Sequence, residues 1–311
     1  MKSYLIGVDI GGTTVKLGLF TPRADLLEKW EITTRKHEGG KYILADIVKS
    51  IEDKLEEKNI DKSMVEGIGL GVPGPINNDG IVRNCVNLGW EVFNIEKNLS
   101  ELIKLPVKAG NDANVAALGE MWKGGGEGYK NIIMITLGTG VGGGIIIDGM
   151  LLPGVNGSAG EIGHINVCKE ETESCGCGKK GCLEQYASAT GIVNIAKKLI
   201  LDTTLESILI DKEKLSAKDI FDAAKLEDEL ALKVINKFGE ILGRALANIA
   251  CILDPEVFVI GGGVSKAGEL LLETIKQNYE IYAFHAVRQA EFKLAKLDND
   301  AGIYGAAKLL F

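Results

Sequence analysis

What the chain lacks sets its first limits. It has no excess of basic residues: 35 Lys and Arg stand against 43 Asp and Glu in 311 residues, a net charge of −8. A general nucleic-acid or membrane-surface binder would carry a basic face, so neither partner is expected. No apolar run approaches the roughly 20 residues that span a bilayer. No basic start followed by an apolar stretch marks a secretory leader; Met1 leads straight into a strand, and a cytoplasmic protein is expected. Histidine is scarce at three residues, and His37 and His285 have no metal-compatible neighbours in sequence. Nothing suggests an oxidising compartment, and the single residue between Cys175 and Cys177 makes them awkward disulfide partners.

What is present concentrates between Leu137 and Gln185. The turn Gly138-Thr139-Gly140, with Gly142 to Gly144, lies between the apolar runs Ile132–Leu137 and Ile145–Ile147 and reads as strand, tight turn, strand. Backbone amides can meet phosphate oxygens in such a place. His164, Cys175, Cys177 and Cys182 then follow with His-x10-Cys-x-Cys-x4-Cys spacing, interleaved with Gly176, Gly178 and Gly181. Three thiolates and an imidazole complete a tetrahedral zinc shell with no position left for an activated water, so the expected metal is structural Zn2+. Reduced cysteines without metal are the plain alternative.

The length suits two domains of about 150 residues each. Near the start, Tyr4–Val8 runs into Asp9-Ile10-Gly11-Gly12-Thr13-Thr14-Val15-Lys16 and resumes at Leu17–Phe20, a hairpin with a glycine turn and an acid at its mouth. The hairpin at 132–147 has similar grammar, as if one unit occurred twice, and a repeat of that kind predicts two related lobes facing a cleft. Read alone, Gly11 and Gly12 could simply shape a turn beside an ordinary Asp9.

Between these hairpins, Ile43, Leu44, Ile47, Ile51 and Leu55 share one face of a packing helix. Ile68–Val72 is a strand that breaks at Pro73-Gly74-Pro75. Val107–Ala109 leads through Gly110, Asn111 and Asp112 into an alanine-rich helix, where position and residue type alone favour Asp112 as a helix cap. Gly124–Gly128 is either a flexible inter-lobe hinge or a plain surface loop, and the lobe boundary is set near 119–126.

Past Ala187 the chain is mainly helical: Ser216-Ala217-Lys218-Asp219 looks like a capping box, and Glu229–Leu253 is one long helix. Cys251 on that helix is expected in the core, with Cys85 and Cys168. Val257–Ile260, then Gly261, Gly262 and Gly263, then a helix start, lets bare backbone approach an adenosine or its phosphates; a close crossing of strand and helix is the alternative.

DIGGTTVK at the start, GNDANVAALGE from Gly110, LGTGVGGGIIIDG, the ExxGH at Glu161 and CxCGxxGCxE from Cys175 closely resemble the ROK family of sugar kinases and sugar-responsive repressors, in particular its bacterial glucokinases. The resemblance covers nearly the whole chain, in order. It implies an α/β, two-lobed actin-like or ribonuclease-H-like ATPase fold, with a cleft between lobes and the zinc knot beside it. Residues 1–120 plus 298–311 would form a smaller lobe and 121–297 a larger one.

The resemblance reverses the reading of Asp112, which falls on the family's catalytic base, with Asn111 its sugar-binding neighbour. It also implies sugar contacts from Gly74, Asn87, Glu161, His164 and Glu184. ATP would lie between Gly11–Thr13, Gly138–Gly140 and Gly261–Gly263, with Lys16 near a phosphate and Asp9 holding Mg2+ through water. The expected reaction is transfer of the γ-phosphoryl of ATP to the 6-hydroxyl of glucose. An N-acetylmannosamine kinase, a fructokinase or a polyphosphate-using glucokinase would share most of these motifs, although an acidic chain is a poor host for a long polyanion. The family's repressors carry a winged helix-turn-helix before the kinase-like part, and a strand at Tyr4 leaves no room for one. A homodimer or dimer of dimers is what the family implies.

Overall fold

The computed structural model describes residues 3–83 and 85–311; Met1 and Lys2, and with them the expectation that Met1 leads into a strand, lie outside the described residues, as does Asn84. Two five-stranded sheets account for the fold. The first contains β1 (Tyr4–Ile10), β2 (Thr14–Phe20), β3 (Leu26–Thr33), β4 (Val65–Val72) and β7 (Val107–Asn111) in the order β3-β2-β1-β4-β7. Between them, β5 (Ile81–Val82) and β6 (Phe93–Asn94) form a small hairpin. The second sheet contains β8 (Ile132–Leu137), β9 (Val141–Ile147), β10 (Met150–Leu151), β11 (Val257–Gly261) and β12 (Glu291–Leu294) in the order β10-β9-β8-β11-β12.

The two orders are the same. In each half, three strands meander antiparallel and two more add parallel to the first, so the repeat read from the hairpins extends to whole sheets. The apolar runs explain why: β8 and β11 are β-branched and almost wholly buried, as central strands must be. Edge strand β3 alternates between half-buried and exposed residues, the period-2 pattern of a strand with one wet face.

Each half closes its fifth strand with a helix, Asp112–Lys123 after β7 and Ala301–Lys308 after β12, and these two helices pack on each other. Glycine permits the approach: a Cβ on Gly305 would stand 1.6 Å from the Val115 carbonyl oxygen, and one on Gly119 2.2 Å from that of Ala301. The Ala301–Lys308 helix packs on β1 and β4 of the first sheet, as expected for the chain's return.

The second half's core is built on the Glu229–Leu253 helix, which Asp228 caps by accepting the Ala231 N–H and Asp254 ends in the left-handed conformation before Pro255. The capping box at Ser216 is formed. Cys251, however, is exposed, whereas Cys85 is buried and Cys168 half-buried. Helical spacing explains the difference: Cys251 falls on the face of Asn248 and Arg244, three and seven residues earlier, away from buried Ile249 and Ala250.

Nor is Gly124–Gly126 a loose linker. Its three glycines are buried, and the wholly buried carboxylate of Glu120 holds the Gly125 N–H at 2.7 Å.

Candidate active site

The parallel register of the first sheet gathers its functional residues at one edge. Asp9 stands opposite Gly71, Gly71 opposite Gly110, and Val72 opposite Asn111, so the C-terminal ends of β1, β4 and β7 deliver Asp9, the Pro73–Pro75 loop and Asp112 to the same side. Asn111 is the N-cap of its helix: its Oδ1 accepts the Ala113 and Asn114 N–H groups, while its Nδ2 donates to the Gly74 carbonyl at 3.2 Å. The cap expected at Asp112 is therefore one residue earlier. Asp112 opens the first turn, its Oδ1 accepting from Ala113 N–H at 2.8 Å and from the Asn111 amide at 3.0 Å.

The Asp112 carboxylate is open along the cleft but walled by protein. Loss of water around it raises its pKa; the Ala113 N–H opposes this, the charge of Glu161 adds to it, and the Asn111 amide opposes it again. Asp9 lies deeper. Burial pushes it to about 6, Lys16 pulling down and Asp112 pushing up. Gly302 allows the approach of the last helix, since a Cβ there would stand 2.6 Å from the Asp9 carboxyl carbon.

Among the described residues no hydrogen bond to the Asp9 carboxylate is formed, although its oxygens lie close to Gly302 and Gly71; a half-buried carboxylate without a hydrogen-bond partner is a donor that fits the Mg2+ expected there. Lys16 is directed elsewhere, donating to the Asn299 carbonyl at 3.1 Å. Gly11 and Gly12 shape the β1–β2 turn, in which Gly11 N–H bonds the Thr14 carbonyl, and Thr13 is exposed. Gly74 has φ 130°, a conformation open to glycine. Asn87 is exposed on the short turn Val86–Leu88, whereas Trp90 is a core anchor whose indole N–H donates to the Gly40 carbonyl.

In the second half the His164, Cys175, Cys177 and Cys182 ligand atoms all lie within 4.8 Å of one another. Cys175 Sγ is 3.9 Å from His164 Nδ1, and Cys177 Sγ is 3.6 Å from Cys182 Sγ. A tetrahedron with Zn–S bonds of ~2.3 Å has edges of ~3.8 Å, so this donor set fits zinc. Burial and the neighbouring thiols push Cys182 up to about 12, a cost that a divalent cation would remove.

Around the cluster the predicted carboxylates converge. His164 Nε2 lies 4.0 Å from Glu161 Oε2, leaving Nδ1 toward the sulfurs. Glu184 turns one oxygen to Cys175 Sγ at 3.6 Å and accepts the Val141 N–H at 3.0 Å with the other. The chain of contacts thus runs from Glu161 through His164 and Cys175 to Glu184 and the β8–β9 turn, and the charge of Glu161 is felt at Asp112.

That turn opens on the other ligand space. Gly138, Thr139 and Gly263 line a cavity of about 530 Å³ together with Ser216, Lys218, Phe221, Asp222 and Lys266. Gly262, at φ 84°, leaves no room for a Cβ, which would stand 2.5 Å from the Leu137 carbonyl oxygen where the ends of the parallel neighbours β11 and β8 lie close together. A Cβ on Gly261 would likewise meet neighbouring side chains, whereas Gly263 faces open space. The close approach at Gly262 is thus to a neighbouring strand and not, as the alternative has it, to a helix, while Gly263 borders the cavity. The sequence missed the wall from Ser216 to Asp222, whose only visible signal was a capping box.

A family model described as "ROK family" matches residues 5–311. A glucokinase of Halalkalibacterium halodurans is 49% identical over 99% of this chain and 94% of its own. A glucokinase of Thermotoga maritima is 36% identical over 99% of this chain and 98% of its own. Among solved structures, a ROK family glucokinase from Streptomyces griseus, in complex with glucose and AMPPNP, superposes with a TM-score of 0.73 at 33% identity, covering 98% of both chains.

Proposed function

The chain belongs to the ROK family, and on that premise we propose that it is an ATP-dependent glucokinase that phosphorylates glucose on its 6-hydroxyl. The observation that carries the reading is the convergence of Glu161, His164 and Glu184 on the cysteine cluster, with Glu184 reaching the glycine turn of the nucleotide-sized cavity, while the first sheet delivers Asp9 and Asp112 to one edge.

Asp112 accepts a hydrogen bond from the 6-hydroxyl, aims its oxygen at the γ-phosphorus and takes the proton as the new bond forms. The loss of water that raises its pKa makes its ionised form a stronger proton acceptor than a free carboxylate. Asn111 and Gly74, already joined by a hydrogen bond, form the floor beneath the sugar, and Asn87 stands at the rim. Glu161, His164 Nε2 and Glu184 accept from the other hydroxyls, which fixes the ring so that one oxygen meets the phosphorus. On the donor side, Gly11–Thr13, Gly138–Gly140 and Gly263 let backbone approach the phosphates and adenosine, while Gly261 and Gly262 hold the strand ends together behind them. Asp9 would hold Mg2+, which when bound neutralises the charge on the transferring group.

His164, Cys175, Cys177 and Cys182 would hold zinc, and their fixed backbone keeps Glu161 and Glu184 in place. The smaller lobe of 1–120 plus 298–311 and the larger lobe of 121–297 close on the sugar and exclude water that would otherwise take the phosphoryl group.

The test is a coupled assay with ATP and Mg2+ against glucose, mannose, fructose, N-acetylglucosamine and N-acetylmannosamine. Preferred turnover of glucose is expected. Preference for an N-acetyl sugar would replace the substrate, and no turnover of any sugar by zinc-loaded protein would overturn the assignment.

A further inference from the structure

We propose that Glu120 is the pin of the hinge on which the two halves close, a positioning residue for the reaction that never touches substrate. The inference rests on the sugar-kinase reading, because it is the sugar that drives closure.

The chain passes between the halves twice: from the Asp112–Lys123 helix into β8, and from β12 into the Ala301–Lys308 helix. The Asp112–Lys123 helix lies between the Ala301–Lys308 helix and β9, with Ala117 and Leu118 in the core of the second sheet, and a rotation in which it moves with the first half is taken up in these two segments. Glu120 has no exposed surface, and its carboxylate binds both of them. Oε2 accepts the Gly125 N–H at 2.7 Å, in the first connection. In the second, the Lys296 N–H lies 3.2 Å from Oε1 and 3.0 Å from Oε2, and the Leu297 N–H lies 2.8 Å from Oε1.

Three backbone donors on one buried carboxylate make a built socket. The room is shaped for it: a Cβ on Gly124 would stand 1.9 Å from Glu120 Oε2. Both oxygens act as acceptors, so an amide at this position would set one N–H against another.

The pin leaves little free chain on either side. Lys130 and Asn131 are held to the second half by Glu256, which accepts both N–H groups. Asn299 and Asp300 are held to the first sheet by Lys16 and Lys29. Between these anchors lie two tight turns, one in which the Glu127 N–H bonds the Gly124 carbonyl and Gly128 has φ 95°, and one that opens at Asp298, with φ 47°. Gathering both connections at one carboxylate makes them turn together, so that Asp112, on the same helix as Glu120, meets the phosphoryl group in one alignment.

The test is amide hydrogen exchange with and without glucose, alongside kinetics, in the zinc-loaded wild-type chain and in Glu120→Gln and Glu120→Asp. In the wild type, the Gly125, Lys296 and Leu297 amides should stay protected in both states; glucose-induced loss of protection there overturns the pin, whether or not a variant folds. In Glu120→Gln these amides should exchange at least tenfold faster. Its kcat should fall at least tenfold, with the glucose Kd, measured without ATP, within threefold of wild type. Glu120→Asp, which keeps two acceptors, should recover part of both. Lost protection or a lower Tm with kcat within twofold of wild type would make Glu120 a stability residue only. A wild type that phosphorylates no hexose would overturn the function above. The hinge would then be decided by the same amides with Mg2+ and AMPPNP, whose deprotection would overturn it.

Discussion

The two sheets share one strand order but not one chemistry. In the first, the β1–β2 turn carries charge: Asp9 stands opposite Lys16, and the fifth strand ends in Asn111 and Asp112. In the second, the corresponding β8–β9 turn runs from Leu137 to Val141 without an ionisable group, and the strand parallel to β8 ends in Gly261 and Gly262. A duplicated scaffold delivers strand ends to both walls of a cleft. On the function proposed above, one wall carries carboxylates for an alcohol and a cation, and the other offers bare backbone to a nucleotide. In the proposed reaction the second half is not inert toward the sugar, because the insertion after β10 that carries the cysteine cluster also carries Glu161, His164 and Glu184.

That division can be broken most severely at Asp112. Asp112→Asn removes the proton acceptor but preserves the shape and the partners of the Asn111 cap, so turnover should fall by roughly 10²–10⁴, the usual worth of a positioned base. Glucose binding, followed by fluorescence or calorimetry, should be largely retained. Near-normal turnover would sink the base assignment and with it the contrast between the two walls.

Asp9 separates activity from stability. Burial makes its ionised form costly, so Asp9→Asn should abolish most Mg2+-dependent turnover and yet raise Tm at pH 7.5. A folded-state pKa of about 6 against an ordinary 3.8 sets an upper limit of about 3 kcal/mol on the gain. The sign follows from protonation: the folded form binds the proton more tightly than the unfolded chain, so the penalty is full above pH ~6 and gone below ~4. The stabilisation by Asp9→Asn should vanish over the same window, as thermal melts between pH 4 and 8 would report. A Tm that falls at pH 7.5 would mean that Asp9 holds the fold through contacts its carboxylate does not make here.

The third effect is smaller and one-sided. Removing zinc with a chelator, or replacing Cys177 by Ser, loosens Glu161, His164 and Glu184 without touching the β1–β2 turn or the 530 Å³ cavity. The KM for glucose should rise about 10- to 100-fold, the scale on which supporting residues of metal sites act, with the KM for ATP changing much less. Equal loss on both substrates would show that the knot supports the whole second half.

Much of this was legible in the sequence because the signals were local. The His164–Cys182 spacing reads as a metal shell because its ligands close within 20 residues. The β8–β9 hairpin shows in Ile132–Ile147, and the helix Glu229–Leu253 in its apolar period and its Asp254-Pro255 stop. The long-range facts were hidden. A core position is the expectation for Cys251 because a cysteine on an apolar helix is usually buried, but the helical phase, with Asn248 and Arg244 on the same face, places it in solvent. Asn111 and Asp112 compete for one cap, and the backbone, not the residue type, decides for Asn111. The wall from Ser216 to Asp222 meets Gly138 only after the whole second half has folded. The Glu120 socket joins residues more than 170 apart, and although Glu120 ends the GNDANVAALGE motif, nothing in that motif names Lys296 and Leu297 as its partners.

The finest test of the comparison sets one turn glycine against its counterpart. At Gly12 in the first turn an added Cβ meets nothing within 4 Å, so Gly12→Ala should leave Tm unchanged. At Gly140 in the second turn the Cβ would stand 2.3 Å from Glu184 Oε2. The far end of that side chain can move, so Gly140→Ala should fold, but only by displacing the carboxylate from the Val141 N–H it now holds. The loss of one hydrogen bond to a charged group is worth about 1.5–3 kcal/mol at most, and relaxation of the side chain should reduce it. A rise of roughly three- to tenfold in the KM for glucose is therefore expected, with a nearly unchanged KM for ATP, although the substitution lies in the turn assigned to phosphate. If the ATP constant moves instead, Glu184 serves the nucleotide wall, and the sugar-side role given to it is wrong.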